Sequence, residues 1–276
     1  MVGSIIGCHG VLLAVDNAHG AYLKFLENSL YPTDLGADIC ASSAHKTLPC
    51  LTGAAYLHIS KDAPRILSEN AKDAMALFGS TSPSYLILSS LDKANEHLAS
   101  DYRSELAALR KALDCLKNEL TANGYTLYGN EPMKLTICAK EYGYFGYGMA
   151  KELEKCGIMP EFADRDFVTL MPSTKTTDSE LEAIKKALLG IEKREKVEEL
   201  PPKAVISKGV LTPREAVLSP SEVISVNDAK GRILADITVG CPPAVPIIVS
   251  GEEINDAAVS AFLYYGIEKV KVVKGL

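Results

Sequence analysis

Two short strand-like segments, each followed directly by polar residues, constrain the fold of this chain more than any other feature. Residues 11–15 read Val-Leu-Leu-Ala-Val and are followed by Asp16, and residues 37–41 are followed by a polar stretch at 42–47. The short aliphatic run at 11–15 is typical of a buried parallel strand, and residues 37–41 are predicted to form a second short strand. In an α/β sheet, ligands bind at the carboxyl ends of such strands. We therefore predict an α/β fold with a ligand site there, and a third strand near residues 54–59.

The polar residues after these two segments have the chemistry that a pyridoxal phosphate enzyme requires. Lys46 supplies an amine for a Schiff base, and Asp16 supplies a carboxylate for the pyridinium nitrogen. Hydroxyl and imidazole groups near Lys46 are candidate donors to a phosphate, and they belong to Ser42, Ser43, His45 and Thr47. Ala18 is small enough to let a cofactor ring lie flat against the backbone.

Each of these residues also has a common structural interpretation. Most lysines are solvated loop residues, which is the alternative for Lys46. An aspartate that ends a strand often caps a turn or a helix, which is the alternative for Asp16. A single histidine such as His19 is most often a structural hydrogen bonder. Neither segment decides the question alone, but the ordered pair thirty positions apart is fairly specific.

Composition excludes several other classes of protein. The chain has 276 residues, of which 47% are hydrophobic, and its formal net charge is -6. No basic cluster indicates nucleic-acid binding, and no apolar run reaches the ~18 residues of a membrane span. The seven cysteines are scattered and form no C-x-x-C pair, which argues for reduced thiols in the cytosol and against a zinc site. The short apolar stretch before Cys8 lacks a basic region, so we reject a lipoprotein signal.

The rest of the chain divides into three parts. Leucines and other apolar residues recur at spacings of three and four between residues 91 and 120, which predicts one long amphipathic helix. Residues 125–195 show the pattern of a small α+β unit, with strands at 134–138 and 167–171, a helix at 147–156 and another helix after Thr177. The charged segment 192–199 and the prolines after it indicate a linker. Strand-like runs at 244–249 and 270–273 suggest a separate C-terminal domain.

Several motifs resemble those of one enzyme family. They are Asp-Asn-Ala-His at 16–19, Ser-Ala-His-Lys at 43–46 followed by Thr-Leu-Pro, Gly-Ser-Thr-Ser-Pro-Ser-Tyr at 79–85, Pro-Glu-Phe-Ala-Asp at 160–164, and Gly-Arg-Ile at 231–233 with Gly-Glu at 251–252. Together they resemble the C-terminal part of bacterial ornithine/lysine/arginine decarboxylases, which have the aspartate-aminotransferase-like fold (fold type I). Tyr22 and Ser250 depart from the family pattern, which usually has histidine and proline at these positions.

The resemblance implies a domain organisation. Residues 1–90 would form part of a pyridoxal phosphate-binding large domain, residues 91–195 a long connecting helix and a small α+β domain, and residues 203–276 a C-terminal decarboxylase-type domain. The N-terminal half of the family's large domain, with its ring-stacking residue and main phosphate-binding turn, has no counterpart in this sequence.

The resemblance also implies a reaction and the residues that perform it. Lys46 would hold pyridoxal 5'-phosphate, Asp16 would bind its ring nitrogen, and His45 would be a candidate proton donor. Other cofactor contacts would come from Ala18, His19, Ser43, Thr81 and Ser82. The last two would reach the phosphate of a neighbouring subunit, which implies a homodimer with shared active sites. The substrate would be arginine, lysine or ornithine, and the setting cytoplasmic polyamine metabolism.

Two alternatives stay open. An aminotransferase or related lyase of the same fold would share Asp16 and Lys46 but would bind the substrate carboxylate with an arginine, for which Arg165 is the obvious candidate. Otherwise the chain is a fragment that is inactive on its own. We expect the 276-residue chain by itself to bind the cofactor weakly, and to expose apolar surface that the family's N-terminal half would cover.

Overall fold

A computed structural model describes residues 11–203, 205–237, 240–241 and 245–275. Cys8 and the segment around it lie outside the described residues. The chain forms two compact units, Met1–Cys115 with Pro172–Asp178, and Leu116–Met171 with Ser179–Leu276. Each compact unit combines two separate stretches of the chain, whereas the predicted domains are consecutive. The two divisions are not comparable, and the predicted domain boundaries stay a prediction. Within the described ranges, no helix is long and apolar enough to cross a membrane.

The first unit contains a three-stranded sheet. Its strands are β1 (Ala14–Asp16), β2 (Ile39–Ser42) and β3 (Tyr56–Ile59). Strands β1 and β2 are parallel, and β2 pairs with β3 in the antiparallel sense. The predicted parallel pair and third strand are therefore confirmed. The prediction that β1 is buried is wrong, because Ala14 and Asp16 are exposed and β1 has no strand beside it on its outer edge within the described residues.

One short α-helix lies between β2 and β3, and three longer α-helices follow β3. They are α1 (Ala44–Thr47), α2 (Arg65–Phe78), α3 (Tyr85–Ala99) and α4 (Tyr102–Ala122). Helix α2 has no buried residue, although it is amphipathic. With strands β2 and β3 it lines an apolar groove of about 660 Å³, whose walls include Ile39 and Leu57. Helix α4 carries a stripe of buried leucines, which is the core stripe that its spacing predicts.

The prediction of one continuous helix between residues 91 and 120 is wrong, because Ser100 and Asp101 separate α3 from α4. Ser100 has a non-helical backbone (φ -106°, ψ -85°), and its hydroxyl donates to the His97 carbonyl at 3.3 Å. Serine and aspartate favour helix ends, since their side chains bind nearby backbone groups. The apolar spacing of three and four continues unchanged across the break, so periodicity alone could not reveal it.

The second unit begins with a small α+β arrangement. An antiparallel sheet has the strand order β4-β6-β5, formed by β4 (Leu135–Cys138), β5 (Phe162–Ala163) and β6 (Phe167–Leu170). Helices α5 (Gly146–Lys155) and α6 (Asp178–Gly190) complete it. The strands predicted at 134–138 and 167–171 and both predicted helices are confirmed to within a few residues.

The C-terminal part of the second unit has its own apolar core. Its elements are α7 (Pro213–Leu218), β7 (Ser221–Ser225), β8 (Gly240–Cys241), β9 (Val245–Pro246), α8 (Asp256–Tyr264) and β10 (Lys269–Val273). Strands β7 and β10 pair in the antiparallel sense. Fully buried residues such as Val226, Leu234 and Phe262 form the core between these elements. The strand predicted at 270–273 is confirmed, whereas Ala244, the first residue of the other predicted strand, lies outside the described residues.

Candidate functional site

The two polar motifs lie at one edge of the sheet. In the parallel pair, Asp16 at the end of β1 is opposite Ala41, next to the last residue of β2. The N–H of Asn17 donates to the Ala41 carbonyl at 2.8 Å, which holds the two strand ends together. Because parallel strands end on the same side of a sheet, the segments after Asp16 and Ser42 leave the sheet at the same edge.

Lys46 and His19 meet at this edge. Lys46 lies in α1 and is exposed, and its Nζ is 3.2 Å from Nε2 of His19. A protonated lysine amine donates and has no acceptor capacity, so Nε2 of His19 accepts this hydrogen bond. The structure thus joins the two motifs that the sequence placed thirty positions apart.

Asp16 shapes the turn that carries Ala18 and His19. Its Oδ1 accepts a hydrogen bond of 3.1 Å from the Ala18 N–H, and the residue is exposed. This contact is the strand-end role of an aspartate. It also sets the carboxylate and the small side chain of Ala18 side by side at the sheet edge, as binding of a pyridinium ring would require.

Contacts with Ala54 fix the orientation of the His45 imidazole. The Nδ1 atom of His45 is 2.9 Å from the Ala54 carbonyl oxygen, and the backbone N–H of His45 donates to the same oxygen at 3.3 Å. Since a carbonyl oxygen only accepts, Nδ1 must carry a proton. Nε2 is therefore the ring atom of His45 that can take up and release a proton.

The structure does not bring every predicted site residue to Lys46. Ser43 lies at the N-terminus of α1, where its carbonyl accepts from the Lys46 N–H at 3.2 Å. Thr81 and Ser82 are exposed in the loop before α3, and the Ser82 N–H donates to Ser80 Oγ at 3.1 Å. The described contact of Ser82 thus stays within its own loop. The roles of these residues toward a cofactor stay predictions.

A hydrogen-bond network under the strand ends was not predicted from the sequence. The buried hydroxyl of Ser42 is 2.7 Å from Tyr31 Oη and accepts from Asn17 Nδ2 at 3.3 Å. Tyr31 Oη is also 2.8 Å from His58 Nδ1. Burial raises the pKa of Tyr31 to about 12, so its hydroxyl stays protonated. Ser42, which the sequence predicts as a candidate phosphate donor, is bound into this network at the end of β2. Its role toward a phosphate stays a prediction.

The residues at this edge fit pyridoxal phosphate. An exposed lysine amine, an exposed carboxylate and the small side chain of Ala18 stand on one sheet edge, and a tautomerically fixed imidazole lies in the same helical turn as the lysine. The amine suits the aldehyde of the cofactor, the carboxylate suits its ring nitrogen, and the small side chain leaves room for its flat ring. Among the described residues, no cluster of histidine, cysteine or carboxylate side chains could hold a metal ion.

The arginine that an aminotransferase would need is otherwise engaged. Arg165 donates to both carboxylate oxygens of Glu199, at 3.0 and 3.1 Å. Its guanidinium also lies over the rings of Phe145, 4.6 Å from the centroid, and Tyr264, 5.1 Å from the centroid. Two of the five N–H groups of the guanidinium are therefore bound in a bidentate pair, and its face is stacked. This geometry disfavours Arg165 as a ligand for a substrate carboxylate.

Two family models match the chain. The Orn/Lys/Arg decarboxylase major domain matches residues 2–123, and the Orn/Lys/Arg decarboxylase C-terminal domain matches residues 196–271. Among curated proteins, the Bacillus subtilis protein YaaO is 31% identical over 274 residues. An arginine decarboxylase of Halalkalibacterium halodurans is 29% identical over 272 residues. Each alignment covers 91% of this chain and 55% of the relative, so the chain spans about half the length of these relatives.

Solved structures of other enzymes share the fold of this chain. The chain matches a lysine decarboxylase of Francisella novicida with a TM-score of 0.74 at 16% sequence identity, over 95% of this chain and 53% of that one. A serine palmitoyltransferase of Sphingomonas wittichii matches with a TM-score of 0.51 at 16% identity, over 68% of this chain and 48% of that one. The predicted fold, part of an aspartate-aminotransferase-like large domain followed by smaller domains, is confirmed. The sequence motifs, the two family models and the fold agree that this chain belongs to the Orn/Lys/Arg decarboxylase family.

Proposed function

We propose that this chain carries the lysine, carboxylate and imidazole of a pyridoxal phosphate-dependent decarboxylase that acts on arginine, lysine or ornithine. The observation that carries the proposal is the meeting of the two motifs, with Lys46 Nζ 3.2 Å from His19 Nε2 at the sheet edge that ends in Asp16. Family membership supports the reaction class. The engaged state of Arg165 favours decarboxylation over amino-group transfer.

Each residue has a distinct task in this proposal. When bound, pyridoxal phosphate supplies an aldehyde for a lysine amine and a ring that withdraws electrons from the substrate Cα. Lys46 would hold the cofactor through its Nζ. Asp16 keeps a proton on the ring nitrogen by its negative charge. His45, whose Nδ1 is bound to Ala54, releases a proton from Nε2 to the substrate Cα, in place of the carboxylate that leaves as carbon dioxide.

We also propose that the working enzyme is a cytoplasmic homodimer in polyamine biosynthesis. Thr81 and Ser82 are exposed and stand in the loop between α2 and α3, where they would reach the phosphate bound by a second subunit. Large apolar side chains flank this loop, including Phe78, which is 91% exposed, and Tyr85, which is 83% exposed. Apolar surface of this kind marks a protein contact. Sedimentation velocity of the active enzyme tests the dimer.

A chimera tests the reaction. In the chimera, the part of the H. halodurans arginine decarboxylase that precedes the matched region is joined to this chain, and the 276-residue chain alone is assayed beside it. We expect the chimera to release carbon dioxide from at least one of arginine, lysine and ornithine, and the chain alone to show negligible release. Formation of a keto acid without carbon dioxide would support an aminotransferase instead. Rapid release by the chain alone would contradict the expectation that it needs the rest of the large domain.

A further inference from the structure

The helical turn that carries Lys46 depends on contacts from outside itself. Helix α1 has four residues, and the Leu48 N–H donates to the Ala44 carbonyl at 2.8 Å to close it. A single turn is not stable alone, because nucleation fixes several backbone dihedrals for one hydrogen bond. His45 binds the Ala54 carbonyl on one side of the turn. At the other end, the hydroxyl of Tyr102 donates to the Thr47 carbonyl at 3.2 Å.

Packing fixes Tyr102 itself. It is the first residue of α4 and is fully buried. Its ring meets Phe25 edge to face, with centroids 5.2 Å apart, and the His97 ring is 6.0 Å away. Burial and the nearby Glu105 carboxylate raise the pKa of Tyr102, so the hydroxyl keeps its proton and donates. A buried tyrosine with a satisfied hydroxyl is a rigid support.

Tyr102 also touches the segment that follows His19. Phe25 is the last residue of the 3-10 helix Ala21–Phe25, which begins two residues after His19. One buried side chain therefore contacts both the turn that carries Lys46 and the segment after its partner His19. The ring contributes to the core, whereas the hydroxyl serves only the Thr47 carbonyl among the described contacts.

We propose that Tyr102 is a positioning residue for Lys46, which it directs through the hydrogen bond from its hydroxyl to the backbone of the helical turn. The inference rests on the proposed function for its catalytic meaning, but the positioning can be measured without the reaction. Removing the hydroxyl alone should loosen the turn and turn the lysine amine away from the site, while the packed ring stays in place.

The test compares Tyr102→Phe with wild type in the 276-residue chain. Losing one hydrogen bond should speed amide hydrogen exchange of the Leu48 N–H about fivefold. Tyr125→Phe is the matched control, because Tyr125 is also buried and its hydroxyl also donates to a helix carbonyl, that of Leu188, in the other unit. This control should leave the exchange of Leu48 unchanged. Equal exchange in wild type and in a natively folded Tyr102→Phe variant would overturn the proposal.

A chemical readout reports on the direction of the amine. The chain is incubated with pyridoxal phosphate and reduced with borohydride, and peptide mapping gives the ratio of label at Lys46 to label at Lys61, an exposed lysine of the same unit. Tyr102→Phe should lower this ratio about fivefold, and Tyr125→Phe should not change it. An unchanged ratio in Tyr102→Phe would count against the positioning role.

Two further arms keep the result decisive. If Tyr102→Phe does not fold, Phe25→Leu removes the edge contact that orients the ring but keeps the hydroxyl, and should lower the labelling ratio about twofold. An unchanged ratio in this variant would contradict the proposal. A chimera that shows no preference for Lys46 over Lys61 in the same labelling would count against the proposed function, while the exchange of Leu48 in the 276-residue chain would still decide whether Tyr102 positions the turn.

Discussion

Two lysines of this chain stand in opposite environments. Lys46 is exposed on a single helical turn, and the contact described for its amine is the one to His19. Lys140 is 7% exposed, and its amine is surrounded by the Asp166 carboxylate at 2.7 Å, the Glu199 carbonyl at 2.8 Å and the Tyr264 hydroxyl. Tyr264 in turn donates to Asp166 at 2.7 Å.

The difference separates a lysine that can react from one that supports the structure. The Lys140 amine has three partners for its three protons, so a reaction there would leave a buried carboxylate uncompensated. Lys46 has an amine that can leave its partner without that cost. The Lys140 cluster also joins the 3-10 helix Ala139–Tyr142 and the residue before β6 to α8 and to the segment after α6, all within the second unit. A buried lysine whose amine has a full set of hydrogen-bond partners thus indicates a structural role. An exposed lysine at the sheet edge indicates a catalytic one.

The largest effect should come from removing the exposed amine. Lys46→Ala in the chimera should lower the rate of carbon dioxide release at least about 10³-fold, since it removes the group that exchanges cofactor and substrate. The free energy of unfolding should hardly change, because the side chain is exposed. Radiometric carbon dioxide capture and urea unfolding measure the two quantities. A variant that keeps a tenth of the activity would show that Lys46 is an ordinary surface lysine.

Removing the buried amine should have the opposite profile. Lys140→Met should lower the free energy of unfolding by about 3–5 kcal/mol, because Asp166 is left as an unpaired buried charge. Adding Asp166→Asn should recover part of this loss. Urea unfolding followed by tyrosine fluorescence suits a chain with 12 tyrosines and no tryptophan. A loss in Lys140→Met that matches an exposed lysine variant, such as Lys61→Met, would end the distinction between the two environments.

The carboxylate at the sheet edge should matter for turnover more than for binding. Asp16→Asn in the chimera should lower turnover about 10²-fold, because an amide can hydrogen-bond the ring nitrogen but cannot hold its proton by charge. Cofactor retention, measured by absorbance after dialysis, should fall far less. Near-normal turnover would mean that Asp16 only shapes the turn at Ala18.

The sequence predicted the elements whose pattern is local. The leucine stripe on α4 was readable because burial repeats with the period of the helix. The strands before Asp16 and at 54–59 were readable from their short apolar runs. The break at Ser100 could not be predicted, because the spacing of the apolar residues is the same on both sides of it. Helix α2 was not predicted either. No residue of this helix is buried, so it carries no core stripe like that of α4.

The candidate site shows the same division. Residue type and spacing marked Asp16, His45 and Lys46, because reactive groups after a strand carry information in the sequence itself. The contact between Tyr102 and Thr47 spans 55 positions, and a tyrosine in an apolar stripe looks like any other core residue. Supporting residues of this kind emerge only from the packing, and so does the engagement of Arg165 by Glu199.

A smaller effect should follow at the rim of the Lys140 cluster. The Arg165–Glu199 pair is partly exposed, with side chains 34% and 42% accessible, so Arg165→Ala should cost about 1 kcal/mol of unfolding free energy, including the lost stacking on Phe145. The KM of the chimera for its amino acid should stay unchanged. A large increase in KM without a loss of stability would restore Arg165 as a ligand for the substrate carboxylate.

The smallest effect concerns the pH dependence of the buried cluster, through Asp164. Burial raises the pKa of Asp164 above its ordinary 3.8, although its carboxylate accepts from the N–H groups of Asp166 and Phe167. A raised folded-state pKa favours the protonated form, so its contribution to stability is present below pH 3.8 and is lost as pH rises through the folded-state value. Asp164→Asn keeps an acceptor oxygen but no charge, so the variant should gain stability relative to wild type as pH rises from 4 to 7. Urea unfolding of both proteins across this range measures the difference, and a difference that is constant with pH would show that the Asp164 carboxylate is as well solvated as an exposed one.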